Sequence, residues 1–70
     1  MATLRINGTD REFPEEALPA TLLDLLNTLQ IDQATVVAEI NGAIIERKYF
    51  AQTPIQEGQS LELVRFVGGG

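Results

Sequence analysis

The sequence predicts a two-layer α+β domain, with one leucine-striped helix laid on one face of a small sheet. Three observations predict it. Apolar residues alternate at period two near both ends of the chain and in its middle. Two Asn-Gly dipeptides, Asn7-Gly8 and Asn41-Gly42, punctuate those stretches as hairpin signals. Between them, Leu22, Leu25, Leu26 and Leu29 recur at helical spacing.

The elements follow in order. Thr3 to Asn7 alternates, with Leu4 and Ile6 on one face, and runs into the Asn7-Gly8 turn. Asp10 to Phe13 returns as a second strand, and Pro14 ends it because proline offers no N–H to a ladder. Glu15 to Ala20 reads as a connector. Thr21 is a good N-cap, and Asp24 three residues later completes a capping-box-like start. The leucine spacing predicts a helix from Leu22 to about Gln30, with Leu23 near the edge of the stripe. Such a stripe is a core face and is too short for a coiled coil. Thr35 to Ile40 is β-branched, with Val36, Ala38 and Ile40 on one face. Asn41-Gly42 then turns the chain into Ala43-Ile44-Ile45. Glu46 to Phe50 reads as a helical turn that tucks Tyr49 or Phe50 under the sheet, both as core or rim packing. Thr53-Pro54 and Glu57-Gly58 mark loop and turn. Ser60 to Val67 is the last strand, with Leu61 and Leu63 on one face and Val64 and Phe66 on the other. Two apolar faces place that strand deep in the sheet, or leave its outer face for a partner.

Composition narrows the chemistry. Seventy residues make one domain, which must stand on hydrophobic packing. There are no cysteines and no histidines, so disulfides, thiolate metal sites and the commonest general base at neutral pH are all missing. Ser60, the one serine, has no base to activate it. These absences argue against a hydrolase, a zinc site and a redox dithiol. The formal charge of −5 argues against a nucleic-acid partner, and Arg47-Lys48 is too small a basic cluster to reverse that. The acidity reads first as solubility and second as steering toward basic partner surfaces. No apolar run is long enough to span a membrane, and the first residues lack a signal-peptide layout, so a cytoplasmic chain is expected. Asn7-Gly8-Thr9 has the form of a glycosylation sequon but reads here as a turn.

The chain closes on Phe66-Val67-Gly68-Gly69-Gly70. Glycine carries the most backbone freedom, so the triplet is expected to be a flexible tail. Taken alone, the tail supports two readings equally: a frayed end, or a thread whose unhindered terminal carboxylate is a substrate. Extended, three residues reach roughly 10 Å, enough to enter a narrow slot in another protein.

Element order and tail together resemble the β-grasp proteins of the ubiquitin superfamily. The closer likeness is to the ThiS-type sulfur carriers of thiamine biosynthesis. It is carried by the early strand and Asn-Gly turn, the leucine-rich first helix, the central hairpin Ile40-Asn41-Gly42, and the ending Glu62-Leu63-Val64-Arg65-Phe66-Val67-Gly68-Gly69-Gly70. The resemblance covers essentially the whole chain, and its most specific part is the last strand plus tail. It implies a ubiquitin-like β-grasp domain over 1–67, a mixed four- to five-stranded sheet packed on one main helix, with the glycine tail at 68–70.

The resemblance also implies a mechanism. The carboxylate of Gly70 is adenylated and then converted to a thiocarboxylate, which donates sulfur for thiazole formation. Gly69 and Gly68 serve tail recognition, and Phe66, Val64 and Arg65 are the candidate partner contacts. The implied partners are a ThiF-type adenylyltransferase, thiazole synthase, and a persulfide donor of the cysteine desulfurase or rhodanese type. No bound cofactor is implied; ATP is used by the activating partner. The chain would be a protein co-substrate and not an enzyme, monomeric when free, with no nucleic acid or membrane to bind.

Each of these residues has a plainer reading beside it. Val64 and Phe66 could be core on a central strand, Arg65 a solvated strand-end charge, and Gly68 a mere lengthening of the tether. Glu15-Glu16 converges on nothing and reads as solvation. Other functions fit less well. A MoaD-type carrier for molybdopterin synthesis would differ upstream of the glycines. A ubiquitin-like modifier that builds chains needs acceptor lysines, and only Lys48 is present, while a bare interaction module without sulfur chemistry would not need a terminal Gly-Gly.

Overall fold

Two hairpins with the same turn chemistry frame the sheet. Asn7 and Gly8 sit at φ +52° and +81°, and Asn41 and Gly42 at +50° and +87°. Both pairs are left-handed, as a two-residue turn matched to strand twist requires, and Asn-Gly tolerates this best. In the computed structural model, which describes residues 1–66, the first turn joins β1 (Ala2–Ile6) to β2 (Thr9–Phe13). The second joins β3 (Val36–Ile40) to β4 (Ala43–Ile45). The last strand, β5 (Ser60–Arg65), enters between the two hairpins, giving the order β2-β1-β5-β3-β4. It runs parallel to β1 and antiparallel to β3, so the sheet is mixed and five-stranded.

The helix α1 (Leu22–Thr28) begins as the sequence predicts. The Asp24 N–H donates to Thr21 Oγ1 at 3.2 Å. It ends two residues before the predicted Gln30. Gln30 turns left-handed at φ +60°, its N–H donates to the Asn27 carbonyl, and the Ile31 N–H donates to the Leu26 carbonyl at 2.8 Å. That pattern is a Schellman stop, and it uses glutamine where glycine usually stands. Three short 3₁₀ turns complete the described residues. Glu15–Ala17 lies inside the predicted connector. Gln33–Thr35 takes Thr35 out of the predicted third strand, with Asp32 accepting from the Ala34 N–H at 2.9 Å. Arg47–Gln52 overlaps the turn predicted over Glu46 to Phe50, beginning and ending later.

The core lies between α1 and one face of the sheet. Leu22, Leu25 and Leu26 meet Leu4, Ile6, Val36, Ala38, Ile40, Leu61 and Leu63, with Phe50 and Ile55 closing the side. Leu29, the last of the stripe, is only half-buried. Of the two aromatic residues considered for the turn after β4, Phe50 enters the core and Tyr49 stays exposed. Phe50, Leu4, Leu22, Leu25, Leu26 and Leu61 are essentially sealed from solvent. Burying each stabilises the fold by about 1.5–3 kcal/mol. No helix among the described residues is long and apolar enough to cross a membrane.

Candidate functional site

The central strand β5 has two unlike faces, because its residues alternate and only one face meets the helix. Leu61 and Leu63 point into the core. Val64 and Phe66 point away from it and are 57% and 43% exposed. Both alternatives offered by the sequence therefore hold at once: the strand is central in the sheet, and its outer apolar face is open. Val37 lies opposite Val64 on β3, and the Phe66 N–H continues the ladder by donating to the Thr35 carbonyl at 2.9 Å. Val64, Val37 and Phe66 thus form one apolar surface. Phe66 falls just past β5 as it is observed, one residue beyond Arg65, so the strand stops earlier than the predicted Val67. Val67 and the expected tail residues Gly68, Gly69 and Gly70 lie outside the described residues.

Arg65 does not join Val64 and Phe66. It lies opposite Val36, on the helix side of the sheet, where it lines a groove with Asn7, Arg11, Leu63 and the end of α1. The three candidate contacts of the sequence therefore split between two surfaces: an apolar one on the open face, and a basic groove edge behind it. Arg65 is exposed, as a strand-end charge would be.

Sequence reasoning missed the residues that hold β5 in place. Asn7 and Asn41 read as turn formers, and both side chains bond to β5. The Leu63 N–H donates to Asn7 Oδ1 at 2.7 Å, and Asn7 Nδ2 donates to the Leu63 carbonyl at 3.1 Å. From the other side, the Ser60 N–H donates to Asn41 Oδ1 at 3.0 Å, and the Asn41 N–H donates to the Ser60 carbonyl at 2.8 Å. The parallel pairing of β1 with β5 is only two residues long. The Asn7 amide extends it by imitating a further strand residue. The repeated use of Asn before Gly was the available signal, since glycine at that position would make the turn as well.

The open face can hold another protein but supplies no reactive group. It carries aliphatic side chains, Phe66, carboxylates, Arg5 and the Ser60 hydroxyl, with neither a thiol nor an imidazole anywhere in the chain. What it offers is a sheet surface on the strand that leads into residues 67–70.

Comparison with known proteins places the whole chain. The model of the ThiS family matches residues 4–70. The sulfur carrier protein ThiS of Bacillus subtilis is 31% identical over 96% of this chain and 98% of its own length. A thiazole synthase of Paramagnetospirillum magneticum is 37% identical over 96% of this chain, which spans only 20% of that longer protein. The crystal structure of the thiamine biosynthesis protein ThiS from Geobacter metallireducens superposes with a TM-score of 0.78 at 31% identity, covering 97% of this chain and 99% of that one.

Proposed function

The chain belongs to the ThiS family, and from that membership we infer that it acts as a sulfur carrier protein of thiamine biosynthesis. The observation that carries this reading is the extent of the match. The family model runs from residue 4 to Gly70 and the solved relative shares the fold over 97% of the chain, so the sequence likeness includes the ending as well as the scaffold. The likeness to one segment of a thiazole synthase supports the same pathway, with thiazole synthase as the sulfur acceptor. The molybdopterin alternative is not favoured, because the matched family and solved neighbour belong to thiamine biosynthesis.

The chemistry we propose places the reactive atom on Gly70. A free carboxylate is a poor acyl donor. A carboxylate oxygen attacks the α-phosphorus of ATP on a ThiF-type adenylyltransferase, pyrophosphate leaves, and an acyl-adenylate forms. The terminal sulfur of a persulfide donor then attacks the acyl carbon and AMP leaves. A thiol opens the resulting acyl disulfide, which leaves a thiocarboxylate on Gly70 and a disulfide on the donor side. Gly69 and Gly68 bring no Cβ to the walls of a narrow activating site. The domain contributes position and no catalysis, as a co-substrate. Phe66 and Val64 give the activating enzyme an apolar surface close to the tail, which fits their exposure.

The test is removal of Gly70. The shortened chain is expected to lose ATP-dependent activation while keeping its fold and melting temperature. A substantial drop in melting temperature would make the tail structural and overturn the reading.

A further inference from the structure

Glu39 on β3 and Glu62 on β5 stand directly opposite each other on the open face of the sheet. Like charges in opposed cross-strand positions repel and destabilise the pairing. Among the described residues no cationic group forms an ion pair with either of them. The ion pairs there join the Met1 amino group to Glu15, Arg5 to Asp10 and Lys48 to Glu46. Arg5, opposite Ser60 on β1, has its guanidinium 3.4 Å from Asp10. Arg65 and Arg11, opposite Val36 and Leu4, project to the helix side.

Apolar side chains flank the two carboxylates along the same face. Ile44, opposite Glu39 on β4, is 68% exposed. Val37 and Val64 form the next outward pair, with Phe66 beyond them. The two carboxylates therefore have Ile44 beside them on β4 and Val37, Val64 and Phe66 beyond them along the strands, with Arg5 on the β1 side.

We propose that the Glu39–Glu62 pair seats one Arg or Lys side chain from the enzyme that activates the Gly70 carboxylate, with Ile44, Val37, Val64 and Phe66 packing on apolar residues around that cation. The proposal rests on the sulfur-carrier reading and adds the chemistry of the partner's surface. Charge complementarity selects the occupant. A cation between two opposed carboxylates removes a repulsion that the free domain carries, and a guanidinium can bond to both at once. The surrounding apolar contacts exclude water and strengthen the attraction.

The test titrates wild type, Glu39→Gln, Glu62→Gln and the double variant against the ThiF-type adenylyltransferase at low and high salt. ATP-dependent charging is read in parallel by intact mass. Each single variant is expected to bind about 10-fold or more weakly. The double variant is expected to lose most of the salt dependence, and KM for charging rises while kcat is kept. Melting temperatures should stay level or rise, because the substitutions remove a repulsion. Variants that bind and charge like wild type, with the same salt dependence, would overturn the proposal alone. So would weakened binding to thiazole synthase with unchanged binding to the activating enzyme, or self-association of wild type through this face. A wild-type chain that is never charged would overturn the carrier reading and this proposal with it.

Discussion

Asn7 and Leu63 are 56 positions apart in the chain and exchange two hydrogen bonds, amide to backbone, at 2.7 and 3.1 Å. Through them the turn of the first hairpin grips the central strand one step beyond the last true β1–β5 pair. The grip fixes the strand whose next residues, Val64 and Phe66, lie on the open face. Substituting Asn7→Gly keeps the left-handed turn and removes only the side chain. The expected cost is about 1–3 kcal/mol, since the half-buried Leu63 N–H is left without its partner. Urea unfolding should show a lower midpoint with an unchanged slope. An unaltered midpoint would mean that the two bonds are replaced by water at no cost.

Phe50 and Tyr49 are neighbours in one 3₁₀ turn with opposite environments. Phe50→Ala should cost about 3–5 kcal/mol, as large-to-small changes in a sealed core do. Tyr49→Ala should stay within about 0.5 kcal/mol, as for most surface positions. Thermal melting of the two variants separates these outcomes, and equal effects would contradict the placement of Phe50 in the core.

Thr21 caps a helix of only 7 residues. So short a helix depends on its ends and its packing more than on propensity. Thr21→Ala should lower stability by about 1 kcal/mol, and Thr21→Ser should retain most of it. Chemical denaturation of the pair measures the difference.

The legible and illegible parts of this fold divide along physical lines. The hairpins could be read because Asn-Gly encodes a left-handed turn locally. The core face of α1 could be read from leucine spacing, and its start from Thr21. The helix end could not, because Gln30 adopts the left-handed stop that glycine would have advertised. The alternation of β5 showed two apolar faces. Which one stays open depends on α1 lying on a single side of the sheet, a tertiary fact. Arg65 adjoins Val64 and Phe66 in sequence, but strand geometry sends it to the other face. The bonds from Asn7 and Asn41 to β5 span too much sequence for any local pattern to show them.

The open face and the core face of β5 predict opposite phenotypes. Val64→Asp should leave the fold near wild type, with melting shifted by no more than a few degrees, and reduce charging by the adenylyltransferase about 10-fold or more. Leu63→Asp, one residue earlier, buries a charge in the core and should unfold the domain. Circular dichroism and mass-detected charging distinguish them. A folded Val64→Asp that charges normally would remove Val64 from the partner surface.

The claim at the centre of this account is that the Gly70 carboxylate becomes a thiocarboxylate. Its most direct test is intact-mass analysis after incubation with ATP, a competent ThiF-type adenylyltransferase and a persulfide donor. The predicted result is a gain equal to the exchange of one oxygen for one sulfur, located by fragmentation at Gly70. An unchanged mass, with the same enzyme and donor shown to charge another carrier, would contradict it.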